Sequence, residues 1–444
     1  MPIFPSAIMR TCRRHEPWLG AAMFLLALGS GCAPQGDVLG TTPTATLSLP
    51  TLAPATALSS DTPAPVSSLR GSVSVWTAWE AQEVAALSDL LVAFREQHPR
   101  VQVRLSFYRP AELLEAYRAA ASTGQGPTIL IGPSAWGPSL LRDGLIEDVS
   151  LRLLSEQRET ISELIWSQAT SGGETLGLPV RLRGVVLYRN RTLAQRPAAS
   201  LEDLLAEAAI VSTRYASEPV FDLGFEFSGA QLTACGGTLL RAGGGLAFDQ
   251  ATGLCWLDLL SRFRQVGKPV FRSAADRVTF AAGHSPWLID TTDALPEIAQ
   301  ALGADNVSID PWPVTQDGLQ LSGYVWTDNV YLASRIAPAD MDANWALASL
   351  LLGAEEQARH ARTAGSWFLP VLASVPPTEP LAAQAQDVLL TNTAMPLASN
   401  LEVYVVPLER AVNSVVGQAG DPVEALRRAT EIIYNTLTQS PPGG

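Results

Sequence analysis

The stretch Glu174–Asn190 restricts this chain more than any other; it reads Glu-Thr-Leu-Gly-Leu-Pro-Val-Arg-Leu-Arg-Gly-Val-Val-Leu-Tyr-Arg-Asn. It passes from a polar turn through a Leu-Pro step into the apolar run Val185–Tyr188. Pro179 has no N–H to give to a ladder, which fits a strand start or an edge. Gly184 admits a bend, or a close backbone approach that a side chain would block. Arg181 and Arg183 flank that point, and a guanidinium is costly to bury without partners. Two placements fit these residues: an edge strand with two solvated arginines, or a strand crossing between two lobes with the arginines facing a cleft. The crossing strand is the expectation.

A chain of 444 residues exceeds one ordinary core, so at least two domains are expected. With 47% hydrophobic and 16% charged residues it has the composition of a globular protein rather than a disordered one. A formal net charge of −13 excludes a nucleic-acid binder, which needs a basic face to neutralise phosphates. It argues equally against broad adhesion to anionic lipid.

Residues 1–31 read as an export leader. Arg10, Arg13, Arg14 and His15 precede the apolar run Leu19–Leu28. That run is too short to cross a bilayer, which takes about 20 residues. A charged start, a short apolar run and the small residues Gly29-Ser30-Gly31 make an export signal. Cys32 follows at once, and the whole resembles the bacterial lipoprotein signal, whose cysteine is lipidated and becomes the new N-terminus. One departure is visible: the leucine usual three residues before the cysteine stands one place earlier, with Gly29 in its position. Residues 32–70 are rich in Thr, Pro, Ala and Ser, too poor in large apolar groups to fold. As a flexible tether they span about 35 Å.

Two cysteines remain in the mature body, Cys235 and Cys255. An exported protein permits a disulfide between them, and two buried free thiols are the alternative. They are no metal pair, since no Cys-x-x-Cys spacing or nearby histidine accompanies them. No metal or cofactor is expected.

The folded body starts at Gly71. Ser72–Thr77 alternates like a strand, and Glu83–His98 carries Val84, Leu87, Leu90, Leu91 and Phe94 on one helical face before Pro99 stops it. Val101–Phe107 reads as a strand, Pro110–Ala121 as a helix, Thr128–Ile131 as a strand and Ser139–Arg142 as helical. Strand and helix alternating at this spacing predict a mostly parallel sheet wound with helices, an α/β fold. Further helices are expected over Leu201–Ala209, Gln231–Leu240, Trp256–Gly267, Asp276–Ala282, Trp345–Leu352, Glu355–Ala364 and Pro422–Leu437, with a short strand at Trp287–Asp290.

At this point the chain resembles the extracellular solute-binding proteins of ABC importers, in the maltose/maltodextrin-binding branch. Four stretches carry the likeness. They are Val73–Trp79 with Phe94–Val103; Gly126–Trp136; Leu176–Val180 with Leu187–Leu193 and Leu201–Leu205; and Met395-Pro396 with Pro422–Ala429. The resemblance covers about residues 71–440 in order. It implies a two-lobed periplasmic-binding-protein fold of the second type, with a ligand trapped by hinge closure. The implied crossings lie near Pro179–Arg183, Gly323–Asp328 and Pro376–Leu381. The first lobe is then 71–181 plus 325–375 and the second 182–324 plus 376–440.

Sugars present flat C–H faces edged by hydroxyls, so a sugar site needs aromatic rings and charged or amide groups. Trp79 and Glu80 follow the first strand and Trp136 the third, at carboxyl ends, where open α/β sheets bind ligands. Tyr324, Trp326 and Asp328 alternate and so share one face of the second crossing. The resemblance brings in Trp367, in a loop that approaches the family's cleft, and Tyr404, near its aromatic platform. Arg181 and Arg183 complete the candidates. Two departures from the family's sugar binders stand out. Arg183 replaces an acidic residue before the crossover glycine, and Asp290-Thr-Thr-Asp293 replaces a tryptophan of the second lobe. Arginine forks pair carboxylates and phosphates, so an acidic ligand fits. A neutral sugar fits if Arg183 pairs instead with Glu80 or Asp328.

The expected function is a membrane-anchored binding protein, a monomer, delivering a solute, most readily a sugar or oligosaccharide, to an ABC permease. A ligand sensor docking on a receptor would use the same fold. An exported glycosidase is compatible with the many carboxylates. The mature histidines, His98, His284 and His360, form no His-Glu-x-x-His arrangement, and Gly132–Trp136 lacks the second glycine of a nucleophile elbow. No enzyme is expected.

Overall fold

Alternation places the first strands: Val73 and Val75 in β1 (Gly71–Thr77), and Val101, Val103 and Leu105 in β2 (Val101–Phe107), are buried while their neighbours, Ser106 apart, are not. The structure, a computed structural model, describes residues 68–216, 218–241 and 244–439, with the backbone of Ala45–Leu47. The expected leader, its lipidated Cys32 and most of the tether lie outside the described residues.

Helix α1 (Ala81–Gln97) joins β1 to β2, and α2 (Pro110–Ser122) leads to β3 (Ile129–Pro133). β1 lies parallel between β2 and β3. The buried face of α1 carries Leu87, Leu90, Leu91 and Phe94, but also Glu83, while Val84 is only half-buried. Ala45–Leu47 adds a short antiparallel strand against Leu105–Phe107. This differs from the expectation of an unpaired tether: a backbone ladder needs no large apolar side chain.

The long strand β4 (Leu178–Asn190) is central, not an edge. After it come α3 (Leu201–Arg214), α4 (Gln250–Arg264), α5 (Ala275–Ala281), β5 (Trp287–Thr291) and β6 (Val307–Asp310). The chain continues through β7 (Tyr324–Leu332), α6 (Pro338–Leu352), α7 (Ala354–Arg362), α8 (Glu402–Val412) and α9 (Pro422–Gln439). The first half of β4, up to Gly184, pairs antiparallel with β7; the second half pairs antiparallel with β5 and β6. One strand therefore serves both lobes of a mixed α/β sheet. A Cβ on Gly184 would meet the Tyr324 carbonyl oxygen at 2.5 Å, so the two strands approach as closely as they do only because it is glycine. The β4–β7 ladder shifts register between Asp328 and Asn329, beside Pro179, which has no N–H to contribute.

One face of β4 changes its role along its length. Arg181, Arg183, Val185 and Leu187 alternate onto that face. Val185 and Leu187 are buried in the apolar cluster of the second lobe with Trp256, Phe227 and Phe263. That cluster does not reach Arg181 and Arg183. Where apolar cover stops, the cleft begins.

Expected helix Gln231–Leu240 does not form. The chain makes a 3-10 turn over Gly229–Leu232 and then loops, with Gly236 at φ +77°. A glycine in the left-handed region ends helical hydrogen bonding. Cys235 in that loop is joined to Cys255 on α4, Cα to Cα 5.9 Å, which settles the open choice for the bridge. The described helices include none long and apolar enough to cross a membrane.

Candidate functional site

Seven of the ten predicted ligand residues, Trp79, Glu80, Trp136, Arg181, Arg183, Asp328 and Trp367, line one cavity of about 530 Å³. Strand ends supply Trp79, Glu80 and Trp136, and the bodies of β4 and β7 supply Arg181, Arg183 and Asp328. Trp79 leaves β1, its N–H donating to Thr77 Oγ1 at 3.2 Å. Trp136 follows β3 through a 3-10 turn and lays its ring over Gly132, which has no Cβ to obstruct it. Trp367 is brought in by a neighbouring segment: the Leu182 N–H donates to the Leu369 carbonyl at 2.8 Å, docking that loop along β4.

Asp328 is the centre of the polar network. Its carboxylate, 3% exposed, accepts the Trp79 indole N–H at 2.9 Å on one oxygen and the Arg183 Nη1–H at 3.4 Å on the other. Arg183 also donates through Nε to Asp293 Oδ1 at 3.1 Å, and through Nη2 to the other oxygen. Burial alone would lower the Arg183 pKa, but Asp328 and Asp293 outweigh it and hold the guanidinium above its ordinary value. Arg183 is thus a bridge between carboxylates, as the neutral-sugar alternative required, with Asp293 as the second partner in place of Glu80.

Below this layer lies a second one. Arg181 Nη2 stands 3.7 Å from Glu83 Oε1, and its guanidinium lies over the Phe368 ring at 6.0 Å. Phe368 and His360 stack at 4.9 Å, and both meet Trp79 edge to face. Burial, with Arg181 and then Arg359, pushes the His360 pKa down to about 4. His360 is therefore neutral at pH 7, packing as an aromatic plate under Trp79.

A second cavity of about 350 Å³ adjoins the first. Neighbouring positions line one and the other: Arg183 and Val185 on β4, Thr292 and Thr291 at the end of β5, Asp328 and Trp326 on β7. Trp326 thus faces the cleft from this second compartment. Asp222 there accepts backbone N–H groups from Gly224, Arg272 and Ser273, and Arg277 forks onto Asp290 at 2.6 and 2.9 Å. Asp276, 4% exposed, is pushed up to about 7 by burial, backbone N–H bonds only partly opposing it and Asp290 and Asp222 adding to it.

Tyr324 and Tyr404 are not at the cavity. Both are 2% exposed in the second lobe's core, Tyr324 against Phe225 and Tyr404 accepting the Gly245 N–H at 3.1 Å. Alternation sets the face of a strand but not the depth. Four residues along β7 is about 13 Å, enough to pass from cavity to core. Sequence reading had no role for Glu83, noticed Asp290 and Asp293 only as departures from the family, and named Trp326 but not Asp222, Glu226 and Asp276 around it. Asp293 could have been found by the strand-end argument that found Trp79, since it follows β5. Among the described residues no group of three metal-capable side chains is gathered.

A family model for bacterial extracellular solute-binding proteins matches residues 89–389, more than half of the chain. The chain belongs to that family. Solved structures agree on the fold. The GacH receptor of Streptomyces glaucescens, solved unliganded and with acarbose, is similar at TM-score 0.68 and 16% identity, over 84% of this chain and 100% of that one. The cyclic α-maltosyl-1,6-maltose binding protein of Arthrobacter globiformis gives 0.71 and 18%, over 84% and 100%. The maltotriose binding protein of Thermus thermophilus gives 0.65 and 17%, over 82% and 100%. At these identities the likeness establishes the two-lobed periplasmic-binding-protein fold. This solute-binding protein is an exported one, and its family and structural neighbours are binding proteins.

Proposed function

We propose that this solute-binding protein captures a saccharide between its lobes and delivers it to an ABC permease, held at the membrane by lipidated Cys32 and the 32–70 tether. The observation that carries the reading is the meeting of three tryptophans, Trp79, Trp136 and Trp367, with the Asp328–Arg183–Asp293 network in one cavity. Rings match the C–H faces of a pyranose, and the carboxylates accept from its hydroxyls. The acarbose and maltotriose named for the structural neighbours belong to the same chemical class. Lobes 71–181 plus 325–375 and 182–324 plus 376–440 close because a ligand touching both favours the closed state by that difference in contact.

Titration of the purified protein with maltose, maltotriose and amino sugars, followed by thermal unfolding and small-angle scattering, tests this. A bound saccharide at a hundred times its Kd adds about 2.7 kcal/mol of stability and reduces the radius of gyration. A panel in which no saccharide moves either quantity overturns the reading. Radiolabelled palmitate entering the wild type but not Cys32→Ser tests the anchor, and equal labelling overturns it.

A further inference from the structure

We infer that the saccharide held in this cleft carries a protonated amine. The inference rests on the saccharide reading above and names the class of sugar.

The first observation is the sign of the lining. Glu80, Glu83, Asp293 and Asp328 face only Arg181 and Arg183 in the first compartment. Asp222, Glu226, Asp276 and Asp290 face only Arg272 and Arg277 in the second. Both have a two-to-one excess of acid, steeper than the 43 to 30 of the whole chain. The second observation is that each of these four arginines already has a carboxylate partner, although Arg181 Nε makes no hydrogen bond. Arg181 pairs with Glu83, Arg183 with Asp293 and Asp328, Arg272 with Glu409, and Arg277 with Asp290 and Glu297. The third is Glu83 itself. Its side chain is 4% exposed on the cavity's lining, and its Oε2 has no hydrogen-bond partner.

A sugar hydroxyl can complete a hydrogen bond to a carboxylate, but it leaves the surplus negative charge where it was. An ammonium does both, and its charge is attracted to indole faces as well. Trp79, Trp136 and Trp367 supply such faces in the first compartment and Trp326 in the second. The raised pKa of Asp276 fits the same account, since a cation nearby would restore its ionised form. An acidic sugar would meet the surplus carboxylates, and each lining guanidinium already has a carboxylate partner.

Calorimetric titration of the full chain at pH 7 with the free-amine glucosamine dimer, its di-N-acetyl derivative, cellobiose and maltose decides the matter. The free amine should bind at least tenfold tighter than its acetylated and neutral counterparts and should weaken on raising salt from 50 to 300 mM. Glu80→Gln, at an exposed position that does not threaten folding, should reduce that preference at least threefold. Neutral sugars binding as tightly as the amine, or a preference that Glu80→Gln and Glu83→Gln both leave intact, overturns the inference while the saccharide reading stands. Binding of none of the four overturns both.

Discussion

The two compartments of the cleft reach similar acidity by different means. In the first, side chains from four separate elements hold one another: the charged Asp328 on β7, Arg183 on β4 and Asp293 after β5, with the indole of Trp79 after β1. In the second, Asp222 and Asp276 are held mainly by backbone N–H groups of residues close by. A network of side chains drawn from distant elements depends on every member. Carboxylates fixed by backbone donors keep their places when a neighbouring side chain is changed.

The largest effect should come from removing the cation of the first network. Arg183→Met leaves Asp328 buried with its charge unbalanced, and should cost about 4 kcal/mol of stability. Arg277→Met should cost less, about 2 kcal/mol, because Asp290, though its side chain is only 14% exposed, keeps the Thr291 N–H as a donor, and Glu297 is 55% exposed. Urea unfolding of the two variants measures the difference. Equal losses would erase the distinction between the compartments.

Next comes ligand binding. Trp79 is fixed by its bond to Asp328 and by Phe368 and His360 behind it, so it is presented rigidly. Trp79→Ala should weaken saccharide binding about a hundredfold, as loss of a central anchor does. Trp326 has no such backing ring, and Trp326→Ala should weaken binding about fivefold. Calorimetry with one saccharide ranks them, and a reversed order would make the second compartment the principal one.

What could be read from the sequence follows the same division. Trp79 and Trp136 of the first compartment stand at strand ends, which are visible as alternation followed by a break, and Asp328 is visible by alternation along the second crossing. Arg181 and Arg183 were visible as charges inside an apolar strand. Glu83 was hidden, because an acid in the first turn of a helix ordinarily faces water and favours the helix dipole there. The second compartment was hidden apart from Trp326 and Asp290. Asp222, Glu226 and Arg272 lie in loops or short turns with no period to read, and Asp276 and Arg277 look like the solvated face of a short helix. The fold was legible where spacing repeats and illegible where Gly236 and a disulfide override helical propensity over 231–240.

The smallest net effect, that of pH on the wild type, is also the most diagnostic, because pH moves the compartments in opposite directions. His360 under Trp79 has its pKa depressed from 6.5 to about 4 by burial and by Arg181 and Arg359. Its contribution to stability is whole above 6.5 and is lost as pH falls towards 4. Asp276 has its pKa raised from 3.8 to about 7 by burial, with Asp290 and Asp222 adding to it. Its contribution is whole below 3.8 and is lost as pH rises through 7. Acidifying from about pH 7 to 5 therefore loosens the first compartment by about 2 kcal/mol through His360, while Asp276 acts against it. Wild-type stability should change little over that interval. His360→Phe keeps the stack on Phe368 and removes only the titration, so its stability should rise on acidification. Asp276→Asn removes the opposing group, so its stability should fall. Thermal unfolding at pH 5, 6 and 7 separates the three proteins. Parallel curves would mean that neither group is held by its compartment in the way the distances and burial require.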